Sequence, residues 1–146
     1  MAKQKIDDSR VMEFAQAVGA LVRRARAAGS SNGLSWTETA VLRRLERGGP
    51  TTTAELARTE GMRPQSMRTI ITSLEGMGMI VRKAHASDGR QVNLELTAKG
   101  RALEKSTTDA KRNWLAQTME SLDAEERATL FAAGKIMRRL VDGKAQ

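Results

Sequence analysis

The residues from Pro64 to Met77 constrain this chain more than any other stretch. Met67, Ile70, Ile71, Leu74 and Met77 recur at i, i+3, i+4, i+7 and i+10, which gathers them into one apolar stripe of a helix. Gln65, Arg68, Thr69 and Thr72 fall within about 100° of arc on the opposite face at 3.6 residues per turn, and that face carries no acid. Pro64 suits the first helical turn, where its missing N–H has no intrahelical partner, and Gly76 and Gly78 bracket the exit. Alone, such a segment is an amphipathic helix with a solvated polar face. Its neighbours decide what it is for.

Upstream, Thr52 and Glu55 have the spacing of a capping box, opening a short helix with Leu56 and Ala57 turned inward and ending at Gly61. Two helices joined this tightly form a helix-turn-helix. Ala57 supplies a small side chain at the crossing, and Gly61 tolerates positive φ in the turn. Met67 and Ile70 then pack back on the first helix of the pair. Downstream, Met79–Lys83 reads as a strand, and Val92, Leu94 and Leu96 alternate with Asn93 and Glu95 at the period of a half-buried strand. The polar loop Ala84–Arg90 between them contains the turn signal Asp88-Gly89. A helix-turn-helix followed by a hairpin with a basic loop is a winged helix-turn-helix.

Helices are predicted on both sides. Val11, Phe14, Val18, Leu21, Val22 and Ala25 form one stripe, with Asp8 or Ser9 as N-cap, Gly29 at the end and a connection over Ala28–Gly33. Ser35 and Glu38 make a capping box for a helix presenting Trp36, Ala40, Val41 and Leu45, which stops at Gly48-Gly49-Pro50. Thr97 caps a long helix carrying Leu103, Thr107, Ala110, Trp114 and Leu115. Asp123 and Glu126 box the start of a last one, with Leu130, Phe131, Met137, Leu140 and Val141. Stripes of this extent signal association, and Ala132-Ala133-Gly134 lets two backbones approach closely. The expected fold class is therefore mainly α with a small β-hairpin wing: a winged helix-turn-helix flanked by dimerisation helices. Packing of the terminal helices within one monomer is the alternative.

Charge supports a polyanionic partner. Lys and Arg number 25 against 17 Asp and Glu, a net charge of +8. Acids sit at caps or among exposed cations, and there is no Gly-rich phosphate loop and no Ser/His/Asp order, so no enzyme is expected. His85 is the only histidine and cysteine is absent. This excludes a histidine metal cage, disulfides and thiol chemistry, and no cofactor or metal is implied. No run approaches the roughly 18 apolar residues that would suggest a membrane span, and Met1–Lys5 lack a signal-peptide core. A cytoplasmic, membrane-free setting is the expectation.

The chain resembles the MarR family of bacterial winged-helix transcriptional regulators. The resemblance is carried by Asp88-x-Arg90 followed by Leu94-x-Leu96-Thr97-x-x-Gly100, preceded by Leu74-Glu75-x-x-Gly78-Met79-Ile80-x-Arg82. It implies a single domain over 1–146, with dimerisation helices at 7–30 and 98–142 and a DNA-binding unit at 35–97. It also implies a homodimer on a pseudo-palindromic operator in double-stranded DNA. Most such regulators are repressors, and many release DNA on binding a small aromatic or anionic effector. The missing cysteines exclude the thiol-oxidation mode of release.

Individual roles follow. Gln65 and Arg68 are the expected base readers, because Gln–adenine and Arg–guanine are the natural bidentate pairings in a major groove roughly 12 Å wide; Thr69 and Thr72 share their face. Ser66 and Arg63, at the helix N-terminus, suit phosphates, as does Thr53 more weakly. By resemblance Arg90 enters the minor groove, where an A·T-rich sequence concentrates negative potential. Asp88 either holds its guanidinium in a bidentate pair or caps the hairpin turn. Arg82, Lys83 and His85 are further phosphate candidates on the wing, His85 otherwise being a solvated loop residue. Phe14 and Trp36 are candidate effector contacts whose plainer role is core packing. A winged-helix protein-interaction module, or a nonspecific architectural DNA protein, would share the fold.

Overall fold

A computed structural model describes residues 5–30, 32–85 and 87–143. Met1–Gln4 of the leading stretch, Ser31 of the first connection, Ala86 of the wing loop and the last three residues lie outside the described residues. The order is α1 (Asp8–Gly29), α2 (Trp36–Gly48), α3 (Thr53–Thr59), α4 (Pro64–Gly76), β1 (Ile80–Ala84), β2 (Val92–Leu96), α5 (Ala98–Glu120) and α6 (Ala124–Val141).

The helix starts follow their caps, with two corrections. Asp7, not Asp8 or Ser9, caps α1, its carboxylate accepting from the Ser9 N–H at 3.0 Å. At α3 only half of the expected box forms. Thr52 accepts from the Glu55 N–H, but the Glu55 carboxylate turns to Arg58 one turn on, a charge-assisted contact that outcompetes a neutral backbone donor. The boxes Ser35–Glu38 and Asp123–Glu126 are complete in both directions.

The core lies entirely between Val41 and Leu96. Val41, Leu42 and Leu45 from α2, Leu56 and Ala57 from α3, and Met67, Ile71 and Leu74 from α4 close over Met79, Ile80, Leu94 and Leu96. Each large side chain so buried contributes about 1.5–3 kcal/mol of apolar transfer. Ile70 and Met77 of the α4 stripe are only partly buried at its edge. The α3–α4 turn holds Gly61 at φ +64, with the Met62 N–H donating to Ala57 O at 2.8 Å.

The hairpin is antiparallel, pairing Ile80 with Leu96 and Ala84 with Val92 at its two ends. Strand β1, expected over Met79–Lys83, is shifted by one residue to Ile80–Ala84. The Met79 N–H closes α4 on Leu74 O at 2.9 Å, and its carbonyl accepts from Thr97 N–H at 3.0 Å, so both of its polar backbone groups are engaged outside the ladder. An unanticipated bridge joins Thr51, just after α2, to Leu94 through two backbone bonds of 2.7 and 3.3 Å. Gly100 in the first turn of α5 meets the wing base so closely that a Cβ there would lie 2.0 Å from Met79 O.

Outside this unit burial is sparse. α1 lies along α5, with Gly29 close against Thr107 and Lys111. α6 has no buried residue, and Phe131, Leu140 and Val141 on it are 60, 63 and 86 % exposed.

Candidate nucleic-acid interface

α4 projects its polar face into solvent. Gln65, Ser66, Arg68, Thr69 and Thr72 are all exposed, while the opposite stripe anchors the helix through fully buried Met67, Ile71 and Leu74. No side chain caps the start of α4. Arg63 occupies the N-cap in extended geometry and Pro64 follows, so the first-turn N–H groups remain open to an anion. Thr69 Oγ1 donates weakly to Gln65 O at 3.3 Å. Thr53, at the first position of α3, is half-buried.

The wing sorts its cations. Arg82 Nε is paired with Glu75 at 3.0 Å and Lys83 Nζ with Glu95 at 2.6 Å, so both are partly neutralised by their own scaffold. Arg63, Arg68 and Arg90 enter no ion pair among the described residues. The anticipated carboxylate–guanidinium pair of Asp88 and Arg90 does not form. Asp88 Oδ1 instead accepts from the Arg90 backbone N–H at 3.0 Å, and the Gln91 N–H returns to Asp88 O, which is an Asx-type turn. Of the two expected roles for Asp88, turn capping is the one realised. His85 is more than a solvated loop residue: its Nδ1 accepts from the N–H groups of Ser87 and Asp88, both at 3.2 Å. The wing tip is thus folded by His85 and Asp88, and the Arg90 side chain is left unpaired.

The two candidate effector contacts do not share a site. Phe14, 53 % exposed, borders a depression with Ile6, Asp7 and Arg10. Trp36, 47 % exposed, lines a cavity of about 110 Å³ where α1, α2 and α5 meet, with Arg26, Leu34, Thr107 and Lys111. The expected core role fails for both in the single chain. The Arg26 guanidinium stacks 3.2 Å from the indole centroid, with Arg43 at 5.7 Å and Lys111 at 5.9 Å. Against three cations stands one buried carboxylate, Glu104, 3.9 Å from Arg43. Arg26 Nε and Arg43 Nη2 are buried without a hydrogen-bond partner. Burial, and next the charge of Arg43, push the Lys111 ammonium below its ordinary value. Such a cluster is electrostatically suited to an anion with an apolar body.

The fold and this polar face define a winged helix-turn-helix protein of the DNA-binding kind. The MarR family model matches residues 34–92, the span from the start of α2 into the wing. A helix-turn-helix-type transcriptional regulator of Mycobacterium bovis is 35 % identical over 130 residues, covering 89 % of this chain and 91 % of its own. A helix-turn-helix-type transcriptional repressor of Mycobacterium tuberculosis is 36 % identical over 121 residues, covering 82 % and 87 %. The ligand-free crystal structure of MarR from Escherichia coli shares the fold, with a TM-score of 0.71 at 21 % identity over 92 % of this chain and 98 % of that one. The chain belongs to the MarR family, and it is a DNA-binding transcriptional regulator rather than an enzyme.

Proposed function

We propose that two copies of this chain bind a pseudo-palindromic operator, each laying α4 in the major groove and Arg90 in the flanking minor groove. The observation that carries this reading is the exposed, acid-free face of α4 beside a wing whose Arg90 is unpaired. Gln65 and Arg68 read bases, with Thr69 and Thr72 alongside. Arg63, Ser66 and Thr53 meet phosphates. Arg82 and Lys83 act there at reduced strength because Glu75 and Glu95 already hold them, and His85 and Asp88 shape the tip. Repression is the expected sense of regulation, in keeping with the repressor named above, and a cytoplasmic location goes with it. Among the described residues no helix is long and apolar enough to cross a membrane.

We further assign the Trp36 cavity, rather than Phe14, to a small aromatic anion whose binding weakens DNA affinity. Trp36 offers a ring face, while Arg26, Arg43 and Lys111 offer charge.

Selection of bound duplexes from a random library, followed by anisotropy titration of the selected site, tests the DNA reading. Arg90→Ala should weaken binding and reduce the salt slope by about one counterion. Arg68→Ala should relax preference at one position in each half-site, by roughly 1–3 kcal/mol of discrimination. Unchanged affinity and slope in Arg90→Ala sink the wing assignment, and equal affinity for random duplex sinks sequence reading.

A further inference from the structure

The polar ties on α4 gather at one end of the helix. Ser73 Oγ donates to the Glu38 carboxylate of α2 at 2.8 Å, and Arg82 Nε of β1 donates to Glu75 at 3.0 Å. Met77 O, at the C-cap, accepts from Lys99 Nζ of α5 at 2.9 Å, and Gly78 O accepts from Thr97 Oγ1 at 2.6 Å. All four bonds fall in the last turn of the helix or the two residues after it. Between Gln65 and Thr72 no polar group bonds to another element among the described residues. There the helix is held by its apolar stripe.

Apolar contact is non-directional. Buried Met67, Ile71 and Leu74 fix which face of α4 turns inward, whereas the directional bonds fix its tilt. From Met77 back to Gln65 is about 18 Å at 1.5 Å per residue. A tilt of about 3° at Met77 therefore carries Gln65 by about 1 Å, roughly twice the tolerance of a binding constellation.

Charge singles out Lys99 among the ties. The last turn of α4 carries Glu75 and no base, the wrong sign for a helix C-terminus. Arg82 answers the carboxylate, and the Lys99 ammonium answers the carbonyl end. The Lys99 stem crosses Gly78, with Cδ 3.9 Å from the point a Cβ would occupy there. Lys99 enters no ion pair among the described residues, and it stands at an open position of Thr97-x-x-Gly100.

We infer that Lys99 is a positioning residue for base reading: from α5 it sets the tilt at which α4 presents Gln65 and Arg68, without touching DNA itself. This rests on the reading of α4 as the DNA-reading helix and deepens it.

Anisotropy titration of Lys99→Met and Lys99→Arg on selected and random duplexes, over a range of salt, tests it. Lys99→Met should lower discrimination by about fivefold at the positions that Gln65→Ala and Arg68→Ala identify, with affinity for random duplex and the salt slope unchanged. Lys99→Arg keeps a cationic donor and should stay within about twofold of the original. A Lys99→Met protein that weakens equally on every duplex, with a slope lower by about one counterion, has lost a phosphate contact, which overturns positioning. Unchanged discrimination in Lys99→Met, whatever its urea midpoint, leaves Lys99 a purely structural residue and overturns it too. So does a loss of discrimination that Lys99→Arg shares. If the original chain binds random duplex as tightly as selected duplex, base reading itself falls, and the role of Lys99 falls with it.

Discussion

Glu38 ties three parts of the reading unit together through one carboxylate. It accepts from the Ser35 backbone N–H at 2.7 Å, completing the cap of α2, and from Ser73 Oγ on α4 at 2.8 Å. The backbone bond from Ser35 is the main reason its carboxyl is held below the usual 4.5, with the Ser73 bond helping against burial. A lowered folded-state value means stability that is present in full above pH 4.5 and lost as pH falls through that lower value. Glu38→Gln keeps acceptor capacity without the charge, so the urea midpoint should drop less between pH 7 and pH 3.5 than it does in the original chain. Glu38→Ala should lose about 1 kcal/mol at pH 7. An identical acid limb in Glu38→Gln removes this carboxylate from the account. The cap was legible from Ser35-x-x-Glu38, but the reach to Ser73 was not, because a separation of 35 positions leaves no periodic trace. The Asp88–Arg90 arrangement shows the same limit at short range. Two residues apart, an acid can reach either a guanidinium or a backbone N–H, and only the local fold decides.

At the level of elements, periodicity together with caps and turn signals marked all six helices and both strands, and Gly61 adopts the positive φ that its turn position required. What escaped were single contacts. The Thr51–Leu94 bridge is one residue long and so has no alternation to find, yet it fixes the end of α2 to β2. The start of β1 shifted because Met79 serves α4 and α5 instead of the ladder. Gly100 appears in the sequence only as part of the family pattern; its physical reason is the backbone of Met79 filling the space a side chain would need. Gly100→Ala must therefore separate α5 from the wing base. We expect a loss of about 3 kcal/mol in chemical denaturation and weaker DNA binding through a displaced Arg90. Unaltered stability would mean that α5 can shift without disturbing the hairpin.

For the whole molecule, the sequence offered Trp36 as a candidate effector contact but not the cations that gather around it. Trp36 was visible as an aromatic at helical spacing, and Arg43 shares its face seven residues on. Arg26 and Lys111 come from α1 and α5, and nothing in linear spacing brings three helices to one indole. Benzoate, a small aromatic carboxylate, is a direct probe of that site. It should change tryptophan emission in the original chain but far less in Trp36→Phe, which retains Trp114. Lys111→Met should weaken its binding by about tenfold, as expected on losing a charge-assisted contact. Emission that stays constant to millimolar benzoate would remove the anion assignment. The pH course carries the same sign as that of Glu38 but falls in the alkaline range. Because the folded protein disfavours charged Lys111, stability should rise as pH climbs towards 10.5, and a bound anion should flatten that rise.

Among the described residues all the buried apolar side chains lie between Val41 and Leu96, and α6 has no fully buried residue in the single chain. For a helix of 18 residues in water, internal hydrogen bonds alone give marginal order. In the proposed dimer, dilution acts as a denaturant does, fraying the ends of each chain while the centre holds. On that proposal the regulator measures its own abundance. Scarce copies lose both their partner and the shape of their terminal helices, so occupancy of a palindrome should fall more steeply than copy number.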